Sequence, residues 1–341
     1  MVITMVSKNT NLKYINLLKV LAMFFVVCMH VISKALPNHQ TGTLTYNFLI
    51  GLDILLRSSV PIFVLISGTL MLNKKYNIKD IIKKLIEYYI LFIIFNSMYL
   101  IFDKLFVLNI SLDLNVLKDA LIDSLCVKTI YQMWYFKIIF ITYASVPLFQ
   151  YFISRKNKYV DFVVLITLIL LFQIIPWFVP VFYSNYTYLL VFLTYFYMGY
   201  YFTKYKFKYE NIPLLVLFVI SYIYTYTKTI VLNHDYYYLN FIFFNTMFIS
   251  LFIFMLFESI DKYLKNEFVL NIIKKLSTMN FGVFIFHGLV IGGLSKINII
   301  NVYYYDNVVM IIFNTLLVYM CSLLPAYVLN IVMKIVHKKL F

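Results

Sequence analysis

The stretch YINLLKVLAMFFVVCMHV, residues 14–31, is apolar almost throughout and is broken by Asn16, Lys19 and His30. About 20 apolar residues in a helix cross the ~30 Å hydrocarbon layer of a bilayer, so this run reads as a transmembrane helix. Lys8 and Lys13 precede it, and no small-residue cleavage site follows a short apolar core, so it is expected to stay in place as an uncleaved first span. The same ruler, carried outward, finds nine more spans, near 47–72, 85–106, 132–153, 160–181, 187–203, 212–231, 241–260, 277–297 and 307–333. The fold expected is all-α, a polytopic integral membrane protein of about ten transmembrane helices.

Composition agrees. Of the 341 residues 63% are hydrophobic and 13% charged, against the ~25% charged of soluble domains. That leaves too little ionisable surface to solvate a globule of this size, which excludes a soluble enzyme. The net charge of +15, from 29 basic and 14 acidic residues, could by itself signal nucleic acid, anionic lipid or topology. Position decides. With the N-terminus inside, 20 of the 29 Lys and Arg fall on inside segments, among them Lys74, Lys75, Lys79, Lys83 and Lys84, then Arg155, Lys156 and Lys158. By the positive-inside rule both termini are cytoplasmic, and no nucleic-acid partner is needed to explain the charge. Connections are short except 107–131, expected as a small external cap loop, and residues 1–341 read as one transmembrane domain with no repeat and no appended soluble domain. Cys28, Cys126 and Cys321 have neither disulfide nor zinc spacing, so no metal is expected.

Function is sought among polar groups set where lipid makes them expensive. Lys19 and His30 are eleven residues apart, hence about 16 Å along the axis and about 20° off a common face. Lys19 reads either as an interfacial lysine reaching to the headgroups or as a cation for a ligand; His30 reads either as a structural histidine or as a base. Asp53 and Arg57 form an i,i+4 pair, followed by Pro61, which is expected to kink the second span. That pair neutralises itself in the bilayer or lines a cavity with His30. Trp134 and Tyr135 suit an aromatic belt, which leaves Lys137, one turn deeper, unexplained. His287 stands near mid-membrane, with Gly282, Gly288, Gly292 and Gly293 allowing close helix approach.

The blocks INLLKVLAMFFVVCMH (15–30), SSVPIFVLISGTLML (58–72), YQMWYFKIIFITYASVPLF (131–149), LTYFYMGYYF (193–202) and NFGVFIFHGLV (280–290) resemble, in order and spacing, the acyltransferase-three family. The closest likeness is to its single-domain bacterial surface-polysaccharide O-acyltransferases. The family's first-helix signature, a basic residue, ten residues, then His, is matched by Lys19 and His30. The family more often has Asp and Arg where this chain has Asn16 and Lys19, an arginine pair where it has Lys79, Lys83 and Lys84, His at Gln132 and Tyr at Phe284. The resemblance implies transfer of an acyl group, usually acetyl from cytoplasmic acetyl-CoA, to a hydroxyl of an envelope glycan or its lipid-linked precursor. It also implies a multi-pass location in a bacterial plasma membrane.

The residues suit such chemistry. A sugar hydroxyl is a poor nucleophile at neutral pH, and His30 is the base type whose ordinary pKa fits. Asp53 could orient His30, and Arg57 or Lys137 could stabilise a developing oxyanion. The coenzyme is a polyanion for which Lys19, Lys79, Lys83 and Lys84 are candidate phosphate partners. Trp134, Tyr135, Lys137 and His287 are candidate acceptor contacts. The competing class, a transporter or flippase for a lipid-linked glycan or small solute, uses the same spans and intramembrane charges.

Overall fold

The computed structural model describes residues 13–179, 185–205, 211–231, 239–241, 243–300 and 308–340; Lys8 lies outside them. Among the described residues there is no strand, and the chain is an all-α polytopic membrane protein. Eight helical stretches are long and apolar enough to cross a membrane: 13–38, 44–71, 78–107, 131–153, 212–231, 244–263, 267–296 and 308–335. The two remaining expected spans are helical as well, the first over 158–178 with one wide π turn at Leu170–Ile174, the second over Asn185–Lys204.

The described residues fall into two compact units, the first drawn from 1–73 and 158–341, the second from 74–157. In the first, α1 (Lys13–Ala35) is the central post. It packs against α2 (Leu44–Leu56), α3 (Ser59–Met71), α11 (Phe244–Ile260), α12 (Glu267–Lys296) and α13 (Val308–Leu340). A helix apolar around its circumference is one that partners surround, and Leu18, Ala22, Val27, Val31 and Ile32 are fully buried. Its start is capped from another helix's end: the Tyr14 N–H donates to Asp261 Oδ1 at 2.7 Å, placing a carboxylate at the positive pole of α1.

The span expected at 47–72 is two helices. The break falls at Arg57–Ser58, not at Pro61 itself. Proline lacks an N–H and its ring collides with the carbonyl four residues earlier, here that of Arg57, so the disruption lands upstream. α3 then crosses α9 (Asn185–Lys204) with no room to spare. A Cβ added at Gly68 would run into the Phe196 carbonyl, and one at Gly199 into the Leu65 carbonyl. Thr69 Oγ1 closes the crossing with a 2.8 Å bond to the Gly199 carbonyl. Of the four glycines singled out near His287, Gly282 does abut Ala326 of α13, whereas Gly293 faces open space. The same C-terminal end of α9 is tied to α7 (Lys158–Ile169) by Asp161, fully buried. It accepts from Tyr197 (3.0 Å), Tyr200 (3.2 Å) and Tyr205 (2.6 Å) and pairs with Lys204 at 3.1 Å.

In the second unit α4 (Ile78–Phe102) and α6 (Tyr135–Ile153) run antiparallel, zipped by Phe92–Phe136 and Tyr88–Tyr143 ring contacts with centroids 5.6 and 5.3 Å apart. The segment expected as a cap loop carries a helix, α5 (Leu114–Leu125), docked on α4.

Candidate functional site

The site is built on a seam between α1 and α12. Ser277 Oγ donates to Asn16 Oδ1 at 3.1 Å, Asn280 Nδ2 donates to the Lys19 carbonyl at 2.6 Å, and the rings of His30 and His287 lie 5.1 Å apart at 38°. The partners ascend together, so the two helices run parallel, as a first and a ninth span of a ten-span chain must. Each rung pairs polar groups that would otherwise face hydrocarbon.

The His287 ring is fully buried. Its Nδ1 lies 3.0 Å from the Val283 carbonyl one turn back, and a carbonyl can only accept, so Nδ1 carries the proton. Nε2 of the neutral ring is then a lone pair, buried and without a partner. His30, by contrast, is half-buried. The charged groups within electrostatic reach of His30 are Lys34 and Arg57.

Arg57 sits at the break, as the C-cap of α2, where a cation suits the helix's negative pole. Its Nε donates to Asp53 Oδ2 at 2.9 Å, with the carboxylate side chain 2% and the guanidinium side chain 21% exposed. Nε and one carboxylate oxygen are thereby committed, while Asp53 Oδ1 is buried without a partner. The structure therefore brings His30 and His287 together and joins Arg57 to Asp53. Asp53 is joined to Arg57 by a hydrogen bond and not to His30, because the i,i+4 geometry delivers its carboxylate to the guanidinium first. Lys19 is 2% exposed, and its Nζ has no partner. It does not reach the headgroups. Asn280 and Ser277, which complete the seam, were not expected; the seven-residue spacing from Asn280 to His287 would have put both on one face of α12.

The other expected residues lie in the second unit. Lys79 and Lys83 are exposed near the start of α4, and Lys84 pairs with Glu87 at 2.6 Å, the salt bridge their i,i+3 spacing allows. Trp134, Tyr135 and Lys137 are half-buried around the start of α6. Gln132, where the resembled family often has His, donates to the Tyr99 hydroxyl. Among the described residues no three His, Cys, Asp or Glu side chains cluster as metal ligands would.

Chemically, the seam offers a half-buried imidazole and a second imidazole with its lone pair inward, and the break after α2 offers a guanidinium bonded to a buried carboxylate. A base and a cation side by side in a water-poor place can deprotonate a hydroxyl and receive negative charge on oxygen. Compared with known proteins, residues 12–334 match the family model of an acyltransferase domain, which spans both units. No curated protein and no solved structure matches the chain.

Proposed function

We propose, from the premise that this chain belongs to that acyltransferase family and is a membrane acyltransferase, that it moves an acetyl group from acetyl-CoA to a hydroxyl of a cell-surface polysaccharide or its lipid-linked precursor. The observation that carries the reading is the meeting of the His30 and His287 rings on the α1–α12 seam, with Arg57 at the break between α2 and α3 among the charges that act on His30. His30 takes the hydroxyl proton as the sugar oxygen bonds to the thioester carbonyl carbon. The carbonyl oxygen becomes an oxyanion beside the guanidinium of Arg57. When the carbon–sulfur bond breaks, the proton passes from His30 to the leaving thiolate, giving free coenzyme and an O-acetyl sugar. His287 Nε2 offers an acceptor toward which an N–H of His30 can turn, leaving the other ring nitrogen to the substrate. Asp53 is a positioning residue that acts through Arg57.

The donor comes from the cytoplasm, where Lys19, Lys79, Lys83 and Lys84 supply positive charge for its phosphates. The acceptor meets Trp134, Tyr135 and Lys137 on the outer side, and the protein works in a bacterial plasma membrane. Transport of a lipid-linked glycan is the competing reading, and family membership favours transfer over it. The test is glycan O-acetylation in cells carrying His30→Ala at matched membrane abundance, alongside acetyl release from labelled acetyl-CoA by purified protein. Loss of at least about 100-fold in both is expected of a general base. Full acetylation by His30→Ala overturns the assignment.

A further inference from the structure

The segment joining α4 to α6 is built as a helix that turns back along α4. Lys104 pairs with Asp119 at 3.2 Å, Ser97 Oγ bonds the Ala120 carbonyl at 3.3 Å, Asn96 Nδ2 bonds Ser124 Oγ at 2.9 Å, and Tyr89 OH bonds the Leu125 carbonyl at 3.0 Å. As residue numbers rise on α5 they fall on α4 and the turn after it, so the helices are antiparallel, and all four partners, three on α4 and Lys104 just beyond, lie within the apolar stretch Ile78–Val107. α5 has 12 residues, about 18 Å at 1.5 Å per residue, so it descends a large part of the membrane's thickness.

The face of α4 it covers is informative. In the first turns of α4 the exposed apolar residues are Ile78, Ile82 and Ile86, each about half accessible, the pattern of a lipid-facing stripe. At 100° per residue Tyr89, Asn96 and Ser97 fall on that same side, within about 100° of it. α5 therefore occupies the outer half of a face whose inner half looks at lipid. It docks through Val116, Ala120 and Ser124, all buried, and turns outward Leu114, Leu117, Leu121 and Leu125, at 83%, 41%, 48% and 47% exposure. These four share one stripe of about 80°. On a cap surrounded by water such a stripe would be an association hazard.

The end of α5 supplies an independent observation. The last four carbonyls of a helix have no partner within it, and in hydrocarbon water cannot serve them. Here each is served: Ile122 by the Cys126 N–H, Asp123 by Lys128, Ser124 by Val127, at 2.9, 2.9 and 3.0 Å, and Leu125 by Tyr89. The turn that achieves this puts Val127 at φ 57°, a left-handed conformation costly for a β-branched residue and normally left to glycine. Asn96 then takes the Lys128 carbonyl at 2.8 Å, and Lys128 neutralises Asp123 at 2.6 Å.

We propose that α5 is a half-membrane helix, with the Leu114–Leu117–Leu121–Leu125 stripe covered by lipid acyl chains and the Asn115–Asp119 side turned to water. Single cysteines at Leu117→Cys, Leu121→Cys and, as control, Asn115→Cys test it in the full chain with Cys126→Ser and Cys321→Ser, Cys28 being buried. After bimane labelling and reconstitution into phosphatidylcholine vesicles, acyl-chain nitroxide lipid should quench positions 117 and 121 at least about twofold. Iodide in the buffer should quench only position 115. Quenching of 117 and 121 by iodide instead would mean a water-exposed cap. Resistance to both quenchers, or failure to label protein that is monodisperse in detergent, would mean that protein covers the stripe. Either result overturns the proposal. Leu114→Cys, in the first turn and 83% exposed, gives the same readout where a mid-helix change impairs folding.

Discussion

Gly68→Ala tests the packing that sets α3, and with it the break that presents Arg57. A methyl group at Gly68 meets the Phe196 carbonyl well inside van der Waals contact, and the obstacle is backbone on a helix that Asp161 holds at the adjoining Tyr197 and Tyr200. Relief therefore requires separating α3 from α9. Overpacking of this kind costs about 1–3 kcal/mol. Separation also strains the Thr69 Oγ1 bond to the Gly199 carbonyl, 2.8 Å long and buried, for about 1 kcal/mol more. The expected loss is about 2–4 kcal/mol, measured as a shift in the unfolding midpoint on titrating the purified protein from mild detergent into SDS. Gly293→Ala is the matched control, because a Cβ there meets nothing within 4 Å, and its midpoint should not move. Equal midpoints for Gly68→Ala and wild type would refute the close crossing and, with it, the reason given for this residue's small size.

Three further outcomes follow from the polar groups. Asp53→Ala leaves the Arg57 cation in a largely buried site without its partner and should cost about 3–5 kcal/mol; the double change Asp53→Ala, Arg57→Met should recover part of that stability but not acyl transfer, and a double variant less stable than the single one would exclude a buried pair. His287→Phe preserves ring volume while removing the inward lone pair, so transfer should fall by about 100-fold at unchanged membrane abundance; an unchanged rate would detach His287 from the work of His30. Asp161→Asn keeps an acceptor for the tyrosine hydroxyls but drops the charge facing Lys204, whose side chain is 30% exposed and can turn to water. A loss of about 1–3 kcal/mol in the same SDS titration is expected, and wild-type stability would rule out the buried knot.

The spans were legible because the bilayer dictates their length, a constraint that acts on every apolar run alike. Which spans touch was not, since lipid-facing and helix-facing surfaces are equally apolar and the deciding contacts are single carbonyls against glycines, as at Gly68 and Gly199. The same ambiguity explains His30. Its depth could be counted along the sequence, and Asp53 could be placed at a similar depth, but neighbourhood at one depth is set by packing, and packing gave His30 the ring of His287 and gave Asp53 to Arg57. Pro61 signalled the kink, and the break lies at Arg57–Ser58 because a proline's clash is felt four residues back. Asn96 and Ser97 bond to α5, a contact that their places in an apolar span do not announce.

Lys19 carries the argument furthest. An interfacial lysine would extend to the headgroups, whereas this one is 2% exposed with no partner for its ammonium, while its own carbonyl is held by Asn280. Burying an unpaired cation is expensive enough that most such groups acquire an anion or lose their proton. Among the described residues no side chain offsets the charge. A polyanionic donor entering from the cytoplasmic end of the α1–α12 seam has the right sign to offset it, and its path along that seam would end at His30, about 16 Å further on.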